Sequence, residues 1–168
     1  MADVKPIVGV VMGSDSDLET MQRCVDQLKK FAIPYELRVI SAHRTPAAAH
    51  EYASAAVDRG LKVIIAAAGM SAALAGVIAA NTILPVIGVP ITAGVLGGVD
   101  AAISTLQMPP GVPVACMSIG PAGAVNAAIL AAEILAMGDE KLTERLAQFK
   151  QSQATAVMQK DTDIRKNQ

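Results

Sequence analysis

A chain of 168 residues normally forms one domain with one core, and a hydrophobic content of 52% supplies enough apolar surface to build it. The net charge of −1 argues against a protein that binds nucleic acid or an acidic membrane through a basic field. The first residues contain no secretory signal, which predicts a cytoplasmic protein.

Strands and helices alternate along the sequence. Apolar runs rich in β-branched residues predict strands, and apolar residues three or four apart predict helices. In chain order, the predicted elements are a strand at 6–12, a helix at 18–31, a strand at 35–40, a helix at 46–58, a strand at 62–67, a helix at 72–80, a strand at 85–88, a helix at 99–106, a strand at 113–117, a helix at 120–137 and a charged helix at 140–160. The chain is therefore predicted to form a single domain over 1–160 with a polar tail at 161–168.

This alternation predicts a parallel sheet wrapped by helices, in an α/β fold of three layers. Five strands indicate a three-layer α/β/α sandwich with the flavodoxin-like strand order 2-1-3-4-5, followed by a C-terminal helix. In such folds, ligands bind outside the carboxyl ends of the strands, where the strand order reverses. That rule selects the loops at 13–17, 41–45 and 68–71.

The middle of the chain is almost uncharged. Between Val63 and Ala132 the only charged residue is Asp100. The run 63–84 has the length of a membrane span, but glycines and polar residues interrupt it. A helix without a polar face has no side suited to water. We therefore expect other copies of the chain, and not a membrane, to cover these helices, which predicts a homo-oligomer with an extensive apolar interface.

The loop after the first predicted strand suits an anionic ligand. Gly13 allows a close approach of the backbone, and the following helix offers free N–H groups to an anion. Ser14 and Ser16 can donate hydroxyl hydrogen bonds to a phosphate, whereas Asp17 suits ribose hydroxyls or a held proton. Helix capping by these residues, which needs no ligand, is the alternative.

The loop after the second predicted strand adds two groups with clear chemical uses. Arg44 can clamp a phosphate or carboxylate through its planar fork. His43 can move a proton near neutral pH, and Ser41 lies in the same loop. Because this loop shares the predicted crevice with the first one, a functional role is favoured for His43, whereas His50 in the next helix is expected to be structural or exposed.

The segment after the third predicted strand is small and apolar. Ala68, Gly69, Met70 and Ser71 could line a dry pocket wall or supply backbone N–H donors, and close packing of helix on sheet is the alternative. No Gly-x-Gly-x-x-Gly follows the first strand and no Gly-Lys-Ser/Thr occurs, which disfavours dinucleotide and P-loop sites.

No metal site is predicted either. The sequence has two histidines and no clustered cysteines. Cys24 and Cys116 provide neither a disulfide framework nor a metal spacing, and their apolar surroundings predict buried free thiols.

With these residues in place, the chain resembles the N5-carboxyaminoimidazole ribonucleotide mutase family of purine biosynthesis. The matching runs are VMGSDSD at 11–17, SAHRTP at 41–46, PVIGVP at 85–90, QMP at 107–109, GVPVA at 111–115 and AGAVNAA at 122–128. The resemblance implies a three-layer fold, an octamer, no metal or organic cofactor and a small ribonucleotide substrate whose carboxylate moves from the exocyclic amine to C4. It also implies that Ser14 and Arg44 hold the 5′-phosphate, that Asp17 contacts the ribose and that His43 is the general acid/base.

The chain departs from this family in the third loop. The bacterial mutases usually have Ala-Ala-His-Leu-Pro-Gly where this chain has Ser71-Ala72-Ala73-Leu74-Ala75-Gly76, so Ala73 replaces a histidine. Relatives that carboxylate the ribonucleotide directly with carbon dioxide also lack that histidine, but they typically have lysine at the position of Arg44. Direct carboxylation and a non-catalytic nucleotide-binding protein therefore remain the two alternatives to the mutase.

Overall fold

The computed structural model describes residues 5–166, and its centre is a five-stranded parallel sheet. The strands lie in the order β2-β1-β3-β4-β5, which confirms the predicted flavodoxin-like topology. Their bounds are β1 Val8–Met12, β2 Tyr35–Val39, β3 Val63–Ala68, β4 Val86–Pro90 and β5 Ala115–Cys116. The three central strands are buried along nearly their whole length, as parallel strands covered on both faces must be.

Helices cover both faces of this sheet and complete the three-layer α/β/α sandwich. Their bounds are α1 Leu18–Lys30, α2 Pro46–Ser54, α3 Leu74–Ala79, α4 Val99–Leu106, α5 Pro121–Ala136 and α6 Glu140–Lys166. One apolar core lies between the sheet and α1, α5 and α6, and a second lies between the sheet and α2 and α3. Because side chains alternate along a strand, Val10 belongs to the first core and Val11 to the second.

The register of the sheet brings the carboxyl ends of three strands to one place. Met12 at the end of β1 pairs with Val39 of β2 and with Ala67 of β3. Two backbone bonds continue this pairing beyond the strands. The Gly13 N–H donates to the Ala67 carbonyl over 3.0 Å, and the Ile40 N–H donates to the Met12 carbonyl over 2.9 Å. The loops that follow β1, β2 and β3 therefore begin side by side, at the point where the strand order reverses.

The predicted strand at 113–117 and the predicted helix at 46–58 are clearly longer than the observed elements. β5 comprises two residues instead of the predicted 113–117, and Pro113 at the predicted start has no N–H to donate to a neighbouring strand. α2 was predicted to reach residue 58, but it ends at Ser54 and residues 55–60 continue as turns. Gly60, with a φ of +91°, ends this segment in a conformation that glycine adopts without strain.

The C-terminal helix α6 is longer than predicted. It was expected to end at residue 160, but it continues to Lys166, so residues 161–166 of the predicted tail are helical and 167–168 lie outside the described residues. Pairs four residues apart, such as Arg165 with Asp161, support this extension. Leu146 packs into the core, but every described residue after Phe149 is exposed. The second half of α6 therefore reaches beyond the domain.

An apolar surface, which we call the α4 face, remains uncovered in a single copy. Val99, Ile103 and Leu106 recur at helical spacing on α4 and are each more than half exposed. Val95 and Leu96, in the turn that precedes α4, are also exposed, and we include them in this face. Within residues 5–166, no helix is long and apolar enough to cross a membrane.

The two cysteines differ in burial. Cys24 of α1 is fully buried, and burial raises the pKa of its thiol to about 12. Cys116 was also predicted to be buried, but it is only half-buried because it lies on β5, the edge strand of the sheet.

Candidate active site

A cavity of about 420 Å³ lies at the carboxyl ends of β1, β2 and β3. It brings together every residue that the sequence selected as a site residue: Gly13, Ser14, Ser16, Asp17, Ser41, His43, Arg44, Ala68, Gly69, Met70 and Ser71. The lining also includes Ala42, Ala73, Leu74 and Ala93. None of these four was predicted as a site residue, and Ala73 is the position at which the chain departs from the family pattern. The first two loops form a polar half of the cavity, and the remaining residues, which are apolar except for Ser71, form an apolar half.

The first loop is a helix cap that also faces the cavity. The Ser14 hydroxyl accepts from the Ser16 N–H over 3.3 Å, and the Asp17 carboxylate accepts from the Ser14 N–H over 3.2 Å. These bonds form a capping box at the start of a short 3₁₀ helix, Asp15–Asp17, that leads directly into α1. The loop therefore does cap the helix, as the alternative interpretation of the sequence held. The capping bonds also fix the serine hydroxyls in place at the cavity wall.

Asp17 is the least exposed polar residue of this loop, with 8% of its surface accessible. Burial raises the pKa of its carboxyl, while hydrogen bonds from the Ser14 N–H and the Ser16 hydroxyl oppose that rise. Because the folded pKa exceeds the ordinary value, the folded chain holds this proton more tightly than the unfolded chain. Asp17 therefore adds to the free energy of unfolding at pH values below its ordinary pKa. This contribution is lost as the pH rises through the raised pKa of the folded chain. Such a carboxyl can hold a proton or accept from a ligand hydroxyl.

Arg44 is oriented by the protein before any ligand arrives. Its Nη2 donates to the Gly13 carbonyl over 3.0 Å, and its Nε lies 3.4 Å from the Ser41 hydroxyl. The loop itself is closed by Thr45, whose hydroxyl accepts from the Ser41 N–H over 3.0 Å and donates to the Ser41 carbonyl over 2.9 Å. The guanidinium therefore bridges the first two loops. No other residue within 5–166 hydrogen-bonds to its remaining N–H groups, which can bind an anion.

The two histidines lie in different environments. His43 is exposed and lines the cavity, and none of the described residues hydrogen-bonds to its ring. His50 lies outside the cavity, where its Nδ1 is 2.7 Å from Oδ1 of Asn81 and joins α2 to the end of α3. His50 is thus exposed and hydrogen-bonded outside the cavity, which agrees with the expected structural or exposed position. Among the described residues, nothing occupies the His43 ring nitrogens, so they can meet a substrate.

The apolar half of the cavity is formed where the loops after β3 and β4 touch. A Cβ atom built on Gly69 would lie 2.9 Å from the Cβ of Ala93, so only glycine allows the two loops to come this close. Leu74 is a largely buried part of this wall, and Ala73 is the N-cap residue of α3. Across residues 5–166, no group of three or more His, Cys, Asp or Glu side chains is placed to hold a metal ion.

The model of one protein family, AIR carboxylase, matches residues 7–156. The chain belongs to the AIR carboxylase family. It is 50% identical over 161 residues to the N5-carboxyaminoimidazole ribonucleotide mutase of Bacillus subtilis. The alignment covers 96% of this chain and 99% of that protein. It is 52% identical over 152 residues to the mutase of the same name from Pseudomonas aeruginosa, covering 90% of this chain and 93% of that one.

Solved structures agree with this assignment to the AIR carboxylase family. The crystal structure of PurE from Treponema denticola superposes with a TM-score of 0.81 at 31% identity, covering 94% of this chain and 98% of that one. The cavity described above lies within the matched residues.

The third loop departs from the family pattern at the wall of the cavity. Ala73 lines the cavity where the family resemblance leads us to expect a histidine. His50 bonds to Asn81 outside the cavity, so His43 is the only imidazole among the described residues that line it.

Proposed function

We propose that this chain is an N5-carboxyaminoimidazole ribonucleotide mutase of purine biosynthesis. It would move the carboxylate of its substrate from the exocyclic amine to C4 of the imidazole ring. The observation that carries the proposal is the divided cavity. An oriented arginine and serine hydroxyls occupy one half, mostly apolar side chains occupy the other, and one imidazole, that of His43, lines the same space.

The polar half suits the phosphoribosyl group. Arg44 and the hydroxyls of Ser14 and Ser16 would bind the 5′-phosphate, and Ser41 orients the arginine. Gly13 lets the backbone approach the ligand closely. Asp17 would accept a hydrogen bond from a ribose hydroxyl.

The apolar half suits the reacting end of the substrate. The carbamate N–C bond breaks, its electron pair returns to nitrogen, which takes up a proton, and neutral carbon dioxide is left beside the ring. The electron-rich C4 then attacks that carbon dioxide, and the proton on C4 is lost. His43 would supply the first proton and accept the second, so the atoms balance with no metal or organic cofactor. A closed apolar wall would keep the intermediate beside C4.

Direct carboxylation by free carbon dioxide is the second candidate, because Ala73 leaves the apolar wall without an imidazole. A non-catalytic nucleotide-binding protein is less well supported, since binding a phosphate requires neither His43 nor Asp17. Both alternatives can be separated from the mutase by following the carboxylate carbon.

The deciding experiment uses N5-carboxyaminoimidazole ribonucleotide with an isotope label in its carboxylate, turned over in unlabelled bicarbonate. We expect the C4 product to keep most of the label, measured by mass spectrometry against a blank without enzyme. A product formed only from unmodified aminoimidazole ribonucleotide and labelled bicarbonate would establish direct carboxylation instead. No turnover of either substrate, together with binding of the product, would identify the non-catalytic protein.

We further propose that the chain works in the cytoplasm as a homo-octamer. The exposed α4 face and the projecting half of α6 are surfaces that other copies could cover. Light scattering of the full chain is expected to give the mass of eight copies at micromolar concentration. A monodisperse monomer under those conditions would contradict this proposal.

A further inference from the structure

Met70 has an unusual backbone for a residue with a side chain. Its φ of +55° lies in the left-handed region, which glycine enters freely and other L-residues enter at a cost. Among residues 5–166, only Ala32, with a φ of +54°, shares this feature without being glycine. Strained residues of this kind often mark functional sites, so each requires an explanation.

Helix geometry explains Ala32. It follows α1, and two backbone hydrogen bonds close the turn around it, from the Ala32 N–H to the Lys29 carbonyl over 2.9 Å and from the Ile33 N–H to the Leu28 carbonyl over 3.0 Å. This is the Schellman pattern, which requires a left-handed residue at that place. Among the described residues, no pair of backbone bonds of this kind closes around Met70, which follows a strand.

The Met70 side chain lies between two loops that line the cavity. Met70 lines the apolar half of the cavity and is 60% exposed, whereas its neighbour Leu74 is buried. A Cβ atom built on Gly94 would lie 3.5 Å from Cγ of Met70, so the side chain reaches the loop after β4. The Met70 side chain therefore lies between the third and fourth loops, where it lines the cavity and also faces solvent.

We infer that the Met70 side chain covers the apolar half of the cavity and retains carbon dioxide until C4 captures it. This inference rests on the proposed mutase function. Carbon dioxide carries no charge, so Arg44 cannot hold it, and only a physical cover that excludes water keeps it beside the ring. A methionine suits this task because its unbranched, flexible thioether can fill an irregular apolar gap.

The test compares four variants with the wild type in the label-retention assay. Met70→Gly and Met70→Ala remove the cover, Met70→Leu keeps an apolar cover of similar size, and Ala32→Gly is the matched control at the other left-handed residue. We expect the first two to exchange their label with unlabelled carbon dioxide roughly tenfold more often than the wild type, while Met70→Leu stays within about twofold. Ala32→Gly should retain label as the wild type does.

Thermal unfolding separates retention from stability. Glycine relieves the left-handed strain but also gives the unfolded chain more freedom, so Met70→Gly should unfold within about 3 °C of the wild type. Wild-type retention in both Met70→Gly and Met70→Ala would overturn the inference while leaving the mutase intact. If the wild type itself retains no label, the mutase function fails and the inference fails with it.

Discussion

Replacing His43 with asparagine is expected to lower kcat by about 10²- to 10⁴-fold, which is the usual contribution of a positioned acid or base. Asparagine keeps a polar side chain of similar size but cannot carry a proton between the amine and C4. His43 is exposed and its ring contacts no hydrogen-bonding partner among the described residues, so the free energy of unfolding should change by less than about 0.5 kcal/mol. Steady-state turnover of the labelled substrate and urea unfolding measure the two effects.

The chain provides its own control for this variant. His50→Asn makes the same substitution at the other histidine, which bonds to Asn81 outside the cavity. It should leave kcat within about twofold of the wild type and act mainly on stability, through one lost hydrogen bond. Turnover by His43→Asn at the wild-type rate would show that another group moves the protons, and the assignment of His43 would be wrong.

Much of the fold could be predicted because each element carries its own local signal. The runs that became β1, β3 and β4 are apolar and β-branched, and glycine or proline separates them from the helices. Alternation of the two kinds of element then leaves few topologies for a five-stranded parallel sheet. The polar half of the site followed from the same reasoning, since the strand order places the loops of Ser14 and Arg44 together.

The remaining features depend on contacts that no local pattern encodes. Ala93 lines the cavity only because Gly69 lets the loops after β3 and β4 touch, and a lone alanine gives no functional signal. The left-handed conformation of Met70 is likewise set by its surroundings. The end of α6 was placed too early because polarity indicates exposure to water, which a helix projecting from the domain also satisfies.

Replacing Arg44 with leucine is expected to lower kcat/KM by about 100-fold, mainly through KM, if the guanidinium binds the 5′-phosphate. Hydrogen bonds to charged groups contribute roughly 1.5–3 kcal/mol each, and every 1.4 kcal/mol corresponds to a tenfold change. The loss should be large because Gly13 and Ser41 already orient the side chain, so the wild type loses little freedom on binding. Steady-state kinetics with the carboxylated ribonucleotide gives both constants.

Two further substitutions separate geometry from charge. Arg44→Lys keeps the positive charge but loses the planar fork that reaches both Gly13 and a ligand, so it should recover only part of the affinity. Arg38→Leu removes an exposed arginine of β2 that lies outside the cavity, and it should leave KM unchanged within about twofold. Equal losses in Arg44→Leu and Arg38→Leu would mean that the substrate responds only to overall positive charge. A KM for Arg44→Leu equal to that of the wild type would place the phosphate elsewhere in the cavity.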